Sequence, residues 1–179
     1  MLVRYTLLSS LKLLLLPTVP LAAIVISLFT RPNQTNWGWI YGTYDNPPQG
    51  DRGYVTKRSP FPNKITGIKG YVNRVMWMIR NPLYGYNKAV GVKWDGGKVV
   101  IKGNPNISDK YKISGWMFAK YYDKNNKLKA FEFYCVLPYT KNRNLRARLG
   151  YKIKSEKFKQ QGFAQLVFTI NPFDTYGNN

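Results

Sequence analysis

The chain has no histidine and a single cysteine, Cys135, among 179 residues. One thiol forms no intrachain disulfide, which excludes a disulfide-stapled secreted scaffold. Without imidazole there is no Ser-His or Cys-His machinery and no histidine-containing zinc site. Acids are scarce as well: 8 Asp and Glu stand against 28 Lys and Arg, for a formal net charge of +20. No Gly-rich phosphate loop is present, because Asp95-Gly96-Gly97 reads as a turn. The composition therefore points away from most catalytic constellations, and no cofactor or metal is expected.

One long uncharged stretch is present. Leu13 to Thr30 (LLLLPTVPLAAIVISLFT) carries no charge and is closed by Arg31. A run of that length reads as a membrane span before it reads as a core helix. Arg4 and Lys12 precede it, an order that also fits a cleaved signal peptide, but no small-x-small site follows the run. An uncleaved anchor over residues 1–31 is the favoured reading, with a cleaved signal and a buried helix as the alternatives. Pro17 and Pro20 are expected to kink or break the helix. Charges near the span leave the orientation open.

Residues 32–70 are rich in Pro and Gly and read as loop packed on the domain that follows. Within them Trp37 and Trp39 suit a membrane interface, where amphipathic rings gather; packing on the domain is the competing reading. Tyr71–Arg80 has Val72, Val75, Met76 and Ile79 at helical spacing, which predicts a short helix against a sheet, ended by Asn81-Pro82.

From Ala89 the pattern is strand and turn. Ala89–Trp94 and Lys98–Lys102 flank Asp95-Gly96-Gly97 as one expected hairpin, and Ile113–Tyr122 and Leu128–Leu137 form a second. Leu145–Lys154 alternates, and Phe163–Ile170 is the last strand. The expected fold is α+β: an N-terminal transmembrane helix, then about six antiparallel strands in a meander with one short packed helix. Residues 71–173 form a basic sheet domain and 174–179 a tail.

Residues 32–179 hold 25 of the basic residues and all the acids, so this domain attracts anions. In Leu145–Lys154 the apolar set Leu145, Ala147, Leu149, Tyr151 and Ile153 is expected to face the core. Arg146, Arg148, Lys152 and Lys154 then share the other face, and Arg143 extends the cluster. These five cations are the candidate site for an anionic partner: anionic lipid, a host membrane protein or, less favoured, nucleic acid stacked on aromatics such as Trp116 and Tyr122. An ordinary solvated sheet face is the competing reading. Asp45, Asp51, Asp95 and Glu132 are the carboxylates available to a hydrolase pair, but none sits in a recognisable catalytic setting, and Cys135 on a strand reads as an inert core thiol.

Four strings recur in order: Tyr44-Asp45-Asn46-Pro47-Pro48, Arg80-Asn81-Pro82-Leu83-Tyr84-Gly85-Tyr86, Arg146-Ala147-Arg148-Leu149-Gly150-Tyr151-Lys152 and Asn171-Pro172-Phe173. With them, Trp37 to Phe173 resembles a family of small uncharacterised tailed-bacteriophage proteins that carry an N-terminal hydrophobic segment. RNPLYGY is the most specific of the strings. The resemblance implies a phage genome and expression in a bacterium, and it implies no activity. The expectation is a non-enzymatic, single-pass protein of the host inner membrane with a binding or accessory role. The alternative is a virion-associated structural or nucleic-acid-binding protein.

Overall fold

A computed structural model describes residues 1–34, 37–154 and 156–177. The N-terminus is helical: α1 (Leu2–Leu15), a 3-10 turn (Leu16–Thr18) and α2 (Val19–Phe29). Pro17 lacks the N–H that a continuing α-helix needs, so the chain tightens for one turn there, and Pro20 falls in the first turn of α2, where that loss is harmless. Together Leu2–Phe29 make one helical stretch of 28 residues, long and apolar enough to cross a membrane by length and composition.

The chain divides into two units, one of Leu7–Ala89 and one of Met1–Thr6 with Val90–Asn179. In the first, α3 (Gly67–Arg80) packs on α2. It begins earlier than the periodicity suggested, because Thr66 is extended and Gly67 takes φ +62° to start the turn. Its partner is α2: Ala23, Trp37, Tyr54, Trp77 and Met78 make one buried cluster. The Pro/Gly stretch is not all loop, since Tyr54–Arg58 forms a π-helical turn. Tyr84–Ala89 is a short helix, α4.

In the second unit the strands are β1 (Val92–Lys93), β2 (Lys98–Gly103), β3 (Gly115–Tyr122), β4 (Leu128–Thr140), β5 (Arg143–Tyr151), β6 (Phe163–Ala164) and β7 (Leu166–Thr175), with α5 (Glu156–Gln161) before β6. The main sheet is antiparallel in the order β2-β3-β4-β5-β7. The expected first hairpin does not form: β1 pairs with β6, not with β2. Asp95 explains this, because its carboxylate binds the Gly97 N–H and the Tyr121 hydroxyl, fixing the turn against β3 rather than closing a two-strand ladder. β7 runs through Asp174 and Thr175, so part of the expected tail is strand, while Asn178 and Asn179 lie outside the described residues.

Register decides what each sheet face holds. Met117, Tyr134, Arg148 and Thr169 form one cross-strand row, and Phe118, Phe133, Leu149 and Phe168 the next. Side chains in neighbouring rows point to opposite faces. The face with Met117, Glu132, Tyr134 and Val136 is buried. The other, with Trp116, Leu137 and Ile170, is largely open. At one end of that open face Tyr5 covers Phe131 and Tyr151, with ring centroids 5.1 and 6.1 Å away, and donates its hydroxyl to the Val167 carbonyl at 3.1 Å.

Candidate functional site

Two clusters gather polar side chains. The first lies on the covered face of the main sheet. Glu132 is fully buried on β4 and accepts from Arg148 Nε at 2.6 Å and from the Lys154 backbone N–H at 2.7 Å. The Arg148 guanidinium lies over the Tyr134 ring, 4.8 Å from its centroid, a cation–π arrangement. The Tyr134 hydroxyl donates to Asp109 Oδ1 at 2.8 Å. Arg146 sits between two acids, with Nη1 3.0 Å from Asp109 Oδ2 and Nε 3.1 Å from Asp174 Oδ2. Lys154 Nζ donates to the Ile107 carbonyl. Asp109, Tyr111, Tyr134, Arg148 and Lys154 line a cavity of about 400 Å³.

The electrostatics follow from these partners. Burial pushes the Asp109 carboxyl up, but the Tyr134 hydroxyl and the Arg146 guanidinium pull harder and hold it below its ordinary value. Asp174 goes the other way: burial and the neighbouring Asp109 raise it, against the pull of Arg146. Burial raises the Tyr134 phenol to about 12, helped by its bond to Asp109. Burial and the nearby Arg148 lower the Lys154 ammonium.

The cations expected on a free outer face are therefore spread differently. Alternation along β5 holds, but the covered face is the basic one: three acids, the half-buried Asp109 and Asp174 and the fully buried Glu132, face Arg146 and Arg148 and neutralise them. Lys154 joins that cluster, and Lys152 is half-buried beside it in sequence, its N–H bonded to the Gln165 carbonyl. Arg143 stays exposed, its guanidinium on the Phe173 carbonyl at 3.0 Å. The apolar set of the same strand is only half-buried at Leu145, Ala147 and Leu149.

The second cluster brings two of the recurring strings together. Tyr84 of RNPLYGY donates to Asp45 Oδ2 at 3.1 Å, and its ring lies 5.2 Å from that of Tyr44. Lys88 Nζ lies over the Tyr44 ring at 4.6 Å. Gly85 is required because a Cβ there would collide with the Trp39 carbonyl oxygen. Trp37, Trp39, Tyr44 and Lys88 line a cavity of about 390 Å³. The two tryptophans part company here. Trp37 is 4% exposed and donates Nε1–H to the Asn46 carbonyl, so its ring is core and unavailable to an interface. Trp39 is 84% exposed.

The four carboxylates considered for hydrolysis are engaged separately. Asp45 binds Tyr84, Asp51 pairs with Arg58 at 2.8 Å, Asp95 fixes its turn and Glu132 holds Arg148. Cys135 is half-buried, and burial pushes its thiol up, away from the thiolate that would react. Among the described residues no three His, Cys, Asp or Glu side chains gather to hold a metal ion.

Sequence reasoning missed Asp109, Tyr134 and Asp174. A signal for Tyr134 existed: the expected strand ends Leu137 and Leu145 pair in the structure, and counting back from them sets Tyr134 opposite Arg148. The loop carrying Asp109 offers no such constraint.

These features define an α+β protein with an apolar N-terminal helix and an antiparallel sheet whose charged face is covered. The chain belongs to a family of unknown function, DUF7338, whose model matches residues 1–178. No curated protein and no solved structure matches it. The family's description assigns no activity and gives no sign of a bacteriophage source.

Proposed function

We propose that this chain is a membrane-attached protein with a non-enzymatic, binding or accessory role, held to the bilayer by its α1–α2 helix. The observation that carries the reading is the state of that helix: its leucines point outward, with Leu14 75% and Leu21 68% exposed. A helix with that much bare aliphatic surface, uncharged from Leu13 to its end, requires an apolar neighbour. The phage-like strings support a bacterial inner membrane as the site. The engagement of each candidate carboxylate supports a role without hydrolysis. Anionic lipid headgroups or a host membrane protein are the partners that fit the net charge. The virion or nucleic-acid alternative requires free cations on β5, and the pairing of Arg146 and Arg148 supports it less.

The test is fractionation of bacteria expressing the full chain. Recovery in the membrane fraction after a carbonate wash is the expected result. Recovery in the detergent-free supernatant contradicts the reading.

A further inference from the structure

The α1–α2 helix is inside out by the standards of a water-soluble protein. Within the Leu7–Ala89 unit its buried positions are Ser9, Val19, Ala23 and Ser27, which recur at helical spacing and form one stripe of mostly small and hydroxyl side chains. On the other side Leu11, Leu14, Leu21, Val25, Leu28 and Phe29 are exposed. The one polar side chain of that bare side between Leu11 and Phe29, Thr18, donates its hydroxyl to the Leu15 carbonyl at 2.7 Å.

The packed side is held along its length within the Leu7–Ala89 unit. Tyr86 donates to the Leu8 carbonyl at 2.9 Å, Tyr71 to the Ile24 carbonyl at 3.2 Å, and Arg74 Nη2 to the Ser27 carbonyl at 3.3 Å; on the bare side Thr18 shares a hydroxyl bond with Tyr41 at 2.9 Å. A helix that crosses a bilayer carries whatever is packed along it into the hydrocarbon. Here that includes α3, with Lys69 and Arg80 exposed and Arg74 bonded to backbone oxygens. Ionised side chains and irregular backbone are costly in that medium unless buried in protein. A helix lying in the plane of the membrane meets no such cost, because only the bare side enters lipid.

Resting on the membrane reading above, we infer that the α1–α2 helix docks in the plane of the bilayer, its leucine side in the acyl region and its small-residue side bound to protein, rather than spanning it. The occupant is lipid hydrocarbon. The bare side carries no charge between Leu11 and Phe29, while exposed Arg4 and Arg31 lie at the two ends of the helix, suited to headgroup phosphates on a single leaflet.

Depth measurement tests this. Single cysteines are placed at Leu14→Cys, Leu21→Cys and Leu28→Cys in a full-length Cys135→Ser chain. Each substituted leucine is mostly exposed, so the substitutions remove little packing. Each is labelled with an environment-sensitive fluorophore and reconstituted with phosphatidylethanolamine and phosphatidylglycerol vesicles carrying quenchers at graded depths. The expected result is one shared shallow depth for all three labels. A graded profile, with one label at the bilayer centre and another at the headgroups, overturns the in-plane arrangement and leaves the membrane reading standing. Emission unchanged by vesicles, with no flotation, overturns both, and self-quenching of the labels in that case assigns the leucine side to a second copy of the chain.

Discussion

Arg148 Nε donates across 2.6 Å to the carboxylate of Glu132, a side chain with no solvent exposure. The pair is the hinge between what the alternation of β5 suggests and what the sheet contains. A buried carboxylate persists only when paired and hydrogen-bonded, and Glu132 has both, from Arg148 and from the Lys154 N–H. Removing one partner strands the other. Glu132→Gln is expected to lose about 3–5 kcal/mol in chemical denaturation. The double variant Glu132→Leu with Arg148→Met is expected to recover most of that loss, because no lone charge remains.

The two acids on Arg146 are expected to respond with opposite signs. Asp109 is held below its ordinary value, so its ionised form stabilises the fold; that contribution is present above about pH 4 and is lost as the pH falls through the depressed value. Asp174 is raised, so folding disfavours its charge and stability falls as the pH rises through its raised value. At pH 7, Asp109→Asn is destabilising by about 1–3 kcal/mol, while Asp174→Asn is neutral or stabilising and flattens the decline above about pH 4. Denaturation midpoints across pH 3–8 check both.

Much of this architecture was legible in the chain, and the parts that were not share a cause. The apolar N-terminal run, the helix ended by Asn81-Pro82 and the strands β3 to β5 follow from local periodicity and turn chemistry. The pairing of β1 with β6 did not, because a two-residue strand has no pattern of its own and Asp95 spends its carboxylate on Tyr121. Which side of β5 is covered was also illegible. Alternation separates two faces but does not say which is inside, and the deciding acid, Asp109, arrives from a loop.

The paired tryptophans give a clean contrast. Trp37→Ala empties a core site and is expected to cost about 3–5 kcal/mol. Trp39→Ala removes an exposed ring and is expected to shift stability by less than about 0.5 kcal/mol. Thermal denaturation separates them, and equal losses contradict the assignment of Trp37 to the core.

Gly85 tests the contact behind the most specific string of the sequence. With the Trp39 carbonyl against it, Gly85→Ala must push the Trp39 turn away. Destabilisation of about 1–3 kcal/mol is expected, with loss of the Tyr86 N–H bond to the Ile40 carbonyl seen as faster hydrogen exchange at that amide.

The central claim is that the leucine side of the α1–α2 helix meets lipid, and flotation measures it directly. The full chain is expected to rise with phosphatidylethanolamine and phosphatidylglycerol vesicles, and the triple variant Leu14→Gln, Leu21→Gln and Leu28→Gln is expected to stay at the bottom of the gradient with an unchanged circular dichroism spectrum. A triple variant that floats as well as the parent, or that unfolds, contradicts the claim, because those side chains would then be spectators or part of a protein core.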